Sequence, residues 1–190
     1  MAEFNLEHFR ANFKDGARGY LFYVKPQFPA NIGSNANRAI YLVKSSSLPA
    51  STLEEIVVPW QGYDYKLAGK YTFDDWTVTF NCDAEADIYT WYMGWQKKVH
   101  DPTSNEHGHP DEYMVDQIVQ LLNRSGQVIL QYKLVNAWPS SIGAMELSYD
   151  STEVASFEVT FKYMYHVIDR ITYGNRVSFA DTAATVASMV

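Results

Sequence analysis

KLAGKYTFDDWTVTF, residues 66–80, carries the clearest structural signal in the chain. Trp76, Val78, Phe80 and Cys82 alternate with Asp75, Thr77, Thr79 and Asn81, the period-two pattern of a half-buried strand. The Ala68-Gly69 pair predicts a turn just before it. The alternation returns late in the chain, where Phe157, Val159, Phe161, Tyr163 and Tyr165 interleave with Glu158, Thr160, Lys162, Met164 and His166. That segment predicts one buried face and one exposed or interfacial face.

Working outward, strands are expected over 20–25, 39–44, 55–60 and 63–67, the last two turning near Gln61-Gly62. Further strands are expected over 113–122 and 128–136, joined by a turn at Ser125-Gly126, and from 147. Over 113–122 both faces are apolar, so periodicity alone admits a helix as well. Pro139 should end its strand and Gly143 should allow a tight turn. One strong helix is expected over about 84–99, with Asp83 as N-cap and Ile88, Trp91, Tyr92, Trp95 and Val99 on one face. Lys97 and Lys98 complement its negative pole. Phe4, Leu6, Phe9 and Phe13 suggest a short N-terminal helix, while 26–37 and 100–111 read as exposed connections. The expected fold is mainly β: an antiparallel sandwich or small barrel with one flanking helix. A single domain spans 1–190, with its core at about 18–168.

Residues 45–68 match a solvated loop poorly, because Leu48, Pro49, Leu53 and Trp60 are large and apolar. Either this segment folds back over its own core or it projects as an arm onto a neighbouring subunit. On the second reading, those four residues are candidate contacts between subunits. From about 170 the pattern fades into ADTAATVASMV, a tail read as flexible or as ordered against a neighbour.

The net charge of −7 provides no basic stripe for phosphate, which disfavours nucleic-acid binding. The acidity serves solubility or repels an anion. Cys82 is the only cysteine, so an internal disulfide is excluded and reducing cytoplasm suits synthesis. No signal peptide or membrane span is expected, and the chain reads as soluble. Aromatic residues reach 15%, which fits both a β-rich core and large protein interfaces.

Catalytic or metal-binding groups do not converge in the sequence. His107-Gly108-His109, with His100 nearby, is a weak metal signal in a polar loop. Asp74 and Asp75 are adjacent and should point to opposite faces. Cys82 lies in register with the apolar face and reads as a small core residue rather than a nucleophile. No catalytic residue, metal or cofactor is therefore assigned, and the chain is read as a non-enzyme.

Three blocks, residues 66–80, AWPSSIG at 137–143 and LSYDSTEVASFEVTF at 147–161, resemble the tail tube proteins of contractile-tailed, T-even-like bacteriophages. The resemblance runs from about 18 to 165; the connection at 26–38 is longer here and the extension after 170 is not covered. It implies that six copies form a ring, that inner sheets join into a continuous barrel, and that rings stack into a tube inside a contractile sheath. It also implies a baseplate or initiator, a tape-measure protein and a terminator as partners, and a place in the virion after assembly in the host cytoplasm. Viral DNA would pass through without specific binding, with Glu158 a candidate for the channel wall. The alternatives are a tube or initiator of a related injection or secretion machine, or an unrelated soluble β-sandwich binding domain.

Overall fold

Alternation around Trp76 and Phe161 builds a buried aromatic core. A computed structural model describes residues 5–13, 16–30, 32, 36–150 and 152–169 of the 190. The elements are helix α1 (Leu6–Phe13), strand β1 (Phe22–Lys25), helix α2 (Ala36–Ala39) with a 3-10 turn at Ile40–Leu42, and strands β2 (Val43–Ser46), β3 (Ser51–Trp60), β4 (Tyr63–Phe73) and β5 (Trp76–Asn81). Helix α3 (Asp87–Val99), strands β6 (His100–Asp101) and β7 (Glu106–His107) and helix α4 (Pro110–Tyr113) follow. The last strands are β8 (Val115–Leu122), β9 (Val128–Ile142), β10 (Ser156–Lys162) and β11 (Tyr165–Asp169). One seven-stranded sheet runs β1-β8-β9-β10-β5-β2, with β11 also on β9; β3-β4 and β6-β7 stand as separate hairpins. The fold is thus mainly β, with antiparallel pairing and one substantial helix.

The described residues fall into two compact units, one of 5–23 with 120–131 and one of 24–119 with 132–169. In the smaller unit, Asn123 organises a hairpin turn. Its Oδ1 accepts from the amides of Ser125 at 2.9 Å and Gln127 at 2.8 Å, and Gly126 takes a left-handed φ of 75°, as the turn chemistry predicts.

The larger unit holds the aromatic core. Antiparallel pairing sets Phe157 opposite Phe80, Val159 opposite Val78 and Phe161 opposite Trp76, and all six are buried. Helix α3 covers this face with Ile88, Tyr92 and Trp95. The Phe161 ring lies 5.1 Å from Trp76 and 6.0 Å from both Tyr92 and Trp95. Trp76 and Trp95 therefore share Phe161 as a neighbour, while Trp91 packs on Phe28 at 5.8 Å.

Several expectations need correction. Residues 68–69 are not a turn: β4 runs through them, and the ladder shifts register between Leu53 and Glu55. A Cβ on Gly69 would lie 3.0 Å from the Glu54 carbonyl oxygen, so glycine serves close backbone approach at a bulge. Pro139 does not end its strand. β9 continues to Ile142, and Ser140 is the extra residue between Ser141, opposite Thr160, and Pro139, opposite Phe161. The bulge tolerates a residue that lacks an amide donor, and the Ser140 hydroxyl donates to the Thr160 carbonyl at 3.1 Å. Gly143 likewise lies beside β10, where its amide donates to Glu158 at 2.7 Å.

Residues 39–44 divide between helical turns and β2. The 26–37 connection is not simply exposed: Pro26 and Pro29 are buried, Phe28 contacts Tyr92 and Trp95, and the Gln117 side chain bonds both the amide and the carbonyl of Gln27. α3 begins at Asp87, after Ala86 in the left-handed region. Asp83 still accepts from the Ile88 amide at 3.3 Å, and Arg38 pairs with Asp83 at 3.0 Å and Asp87 at 3.1 Å. Residues 100–111 hold the short β6-β7 pair, whereas 147–149 form no strand. The tail from 170 lies outside the described residues.

Candidate assembly surface

The β3-β4 hairpin is the region whose sequence and environment disagree most. Its root is fixed: Phe73 packs on Tyr163 at 5.9 Å and on His166 at 5.1 Å, and Ser51 shares a 2.8 Å hydrogen bond with the Tyr71 hydroxyl. Its tip turns through Gln61 and Gly62, with φ of 47° and 87°, both positive as a tight two-residue hairpin turn requires. Between root and tip the strands are exposed on both faces.

Register sorts these faces. Ile56 lies opposite Leu67, Val58 opposite Tyr65 and Trp60 opposite Tyr63, so six apolar or aromatic side chains share one face. The other face carries Glu55 opposite Ala68, Val57 opposite Lys66 and Pro59 opposite Asp64, with a Lys66–Glu55 ion pair at 3.0 Å. Trp60 is 65% exposed and Tyr63 78%, although both rings could bury roughly 150–250 Å² each.

Of the residues singled out by sequence, Trp60 belongs to this row. Leu53 is exposed but pairs with Tyr71 beyond the bulge, and Leu48 is exposed ahead of the hairpin. Pro49 is buried within the chain. The sequence reading missed Ile56, Val58, Tyr63, Tyr65 and Leu67. Their signal was the two-residue turn, which dictates cross-strand partners, but Val57 and Pro59 blur the alternation in β3.

A second surface lies on the polar side of the core strands. Thr77, Thr79 and Asn81 of β5 face Thr160, Glu158 and Ser156 of β10. Glu158 is exposed. Lys162 grips both oxygens of Asp75 at 2.8 and 2.9 Å, and Lys44 donates to Ser156 at 3.3 Å. Glu158 also borders a cavity of about 710 Å³ with Glu146 and Glu153 from the 143–155 segment.

The remaining chemistry-bearing residues that the sequence singles out lie apart from these surfaces in the β6-β7 pair and at the end of β5. His100 and His107 are paired across β6-β7 with stacked rings 4.2 Å apart. Among the described residues, no group of three or more His, Cys, Asp or Glu is placed to hold a metal. Cys82 is half-buried; burial, then the Asp83 charge, pushes its thiol pKa up, away from the reactive thiolate. Burial and then the Asp74 and Asp75 charges raise Tyr163 to about 12. No described helix is long and apolar enough to cross a membrane.

Comparison with known proteins agrees with the architecture. The chain is 32% identical over 155 residues to the tail tube protein gp19 of Enterobacteria phage T4, covering 80% of this chain and 91% of that one. It is 28% identical over 147 residues to the tail tube protein of Serratia phage KSP90, covering 76% and 82%. The fold is similar to that of a chain in the tube-terminating cap of the anti-feeding prophage, with TM-score 0.61, 17% identity and coverage of 82% and 91%. It is also similar to a chain in the extended sheath-tube complex of the extracellular contractile injection system PVC, with TM-score 0.59, 14% identity and coverage of 85% and 97%. The family model for phage tail tube proteins matches residues 10–169, and the chain belongs to that family.

Proposed function

We propose that six copies of this chain form a ring and that the rings stack into the inner tube of a contractile phage tail, a conduit for genome ejection. The observation that carries this reading is the aromatic face of β3-β4, which the other described residues leave in solvent. A face of that size is stabilised by covering it, and repeated identical subunits offer an identical cover to every copy. The hairpin, with Leu48 and Leu53 at its root side, packs between successive rings. The free edges of the seven-stranded sheet join those of neighbours around the ring, which removes edges that would otherwise pair indiscriminately.

The hydroxyl-rich face of β5 and β10 lines the conduit, with Glu158 on its wall. On this strip Asp75 and Glu158 balance Lys44 and Lys162, so the acidic excess expected of the wall comes from neighbouring segments, Glu146 and Glu153 among them. A wall without a basic stripe lets DNA pass without phosphate contacts that would have to be broken again. The sheath, the baseplate or initiator, the tape-measure protein and the terminator are the partners this role requires.

Negative-stain microscopy of the purified protein tests the assembly: rings or tubes are expected, and uniformly small particles would count against it. Polar replacement of Leu48 and Leu53 together should prevent stacking while the monomer still folds; tubes of normal length would exclude those contacts. A gel-shift assay with duplex DNA at low salt should show no retardation. Tight, salt-sensitive binding would remove the repelling wall and leave the tube intact.

A further inference from the structure

The larger unit also carries an apolar groove beside helix α3. Met93 and Gly94 on the outer face of α3, Val99 at its end, Pro102 in the following turn, and Trp138 and Pro139 at the β9 bulge enclose about 670 Å³. Met93 is exposed, and a Cβ built on Gly94 meets nothing within 4 Å. The groove is open to solvent.

We propose that this groove is the receptor for the β3-β4 tip of a second copy, with Trp60 and Tyr63 inserted as a pair. This rests on the tube reading above and assigns the arm its docking surface. Three observations favour a second copy as the occupant. The first is area: the six-residue face, three of whose members are aromatic, offers on the order of the 800 Å² per partner that a stable interface needs.

The second is charge. Asp64 stands opposite Pro59 beside the tip, while the groove rim carries both Lys97, 61% exposed, and Asp101 3.4 Å from it, so Asp64 would share Lys97 with Asp101. The opposite signs can fix the register of docking. The third is symmetry. Arm and groove are different surfaces, so the contact is heterologous, and head-to-tail contacts of this kind build closed rings or open filaments rather than isolated dimers.

Directed cross-linking tests this. Gln61→Cys chains, carrying the new thiol at the tip, are mixed with Gly94→Cys chains, both in a Cys82→Ser background, and oxidised during assembly. A disulfide-linked heterodimer is expected, with only background linkage when Ser125→Cys replaces Gly94→Cys. Equal linkage to both partners, or none to Gly94→Cys, overturns the docking.

Gly94→Trp fills the groove from a position whose Cβ faces open space. It should melt as the wild type does and lose tube formation; normal tubes from this variant overturn the proposal as well. Failure of the tube reading is separate, because it would show as wild-type protein forming neither rings nor tubes. The disulfide result in concentrated protein decides the docking even then.

Discussion

The β5-β10 pair and the β3-β4 hairpin are built from the same materials and meet opposite fates. Both are antiparallel, both gather large apolar side chains on one face, and both place aromatic residues in cross-strand positions. Trp76 is 1% exposed because α3 covers its strand face, whereas Trp60 has no such cover among the described residues. Alternation therefore reports that a face must be covered, and leaves open which molecule covers it. In β5-β10 the cover is intramolecular and contributes to folding; in β3-β4 the proposed cover is a second copy of the chain.

Truncation of the shared core is the strongest way to break this contrast. Trp76→Ala removes a buried ring packed on Phe161 and leaves its indole partners, the Ser46 hydroxyl and Ser47 carbonyl, without their donor. We expect a loss of about 3–5 kcal/mol, seen as insoluble protein or a collapsed denaturation midpoint. Wild-type stability would show that β5 does not carry the core.

A smaller cost is expected at Gly108, where an added Cβ would collide with the Lys98 carbonyl. Gly108→Ala should lose about 1–3 kcal/mol by overpacking, read by chemical denaturation. An unchanged midpoint would show that the backbone after β7 relaxes freely away from the end of α3.

His166 sharpens the contrast at the hairpin root. Its ring packs against Phe73, Tyr132 and Tyr163, its Nδ1 is buried without a hydrogen-bond partner among the described residues, and burial lowers its pKa below 6.5. The unfolded chain therefore takes up the proton first as pH falls. This contribution to stability is present above 6.5 and is lost as pH drops from there through the lowered folded value. An NMR titration should place the His166 midpoint below that of an exposed histidine, and His166→Phe should flatten the stability profile in that window. A midpoint at or above the ordinary value would contradict the packed root.

The smallest effect on the fold is expected in the blade of the hairpin. Ile56→Thr with Leu67→Thr changes a cross-strand pair exposed on the apolar face. Monomer stability should move by no more than about 0.5 kcal/mol, while assembly measured by light scattering is lost. A large drop in monomer stability would show that the face is covered within its own chain after all.

Much of the fold was legible because the relevant signals are local. The Gln61-Gly62 and Ser125-Gly126 turns, the alternation through Trp76 and Phe157, and the helical spacing of Ile88, Tyr92 and Trp95 depend on neighbours a few residues apart. The misreadings occurred where a residue answers to a distant partner. Gly69, Pro139 and Gly143 looked like punctuation, but each sits where another strand comes close or a ladder slips. Candidate contacts were only partly legible for the same reason: Pro49 has the composition of an exposed arm residue and is buried, while Tyr65 and Leu67 join the apolar row only through pairing.

The sequence alone determined the β class, the single long helix, the acidic balance and the presence of an apolar segment in search of cover. Those properties follow from residue chemistry and short-range periodicity. The tertiary structure decided that Trp76 and Trp95 meet through Phe161, that a bulge carries β9 past Pro139, and that the hairpin's apolar side chains fall on one exposed face. Register and burial are set by pairings between residues far apart in the chain, and only the folded chain brings those residues together.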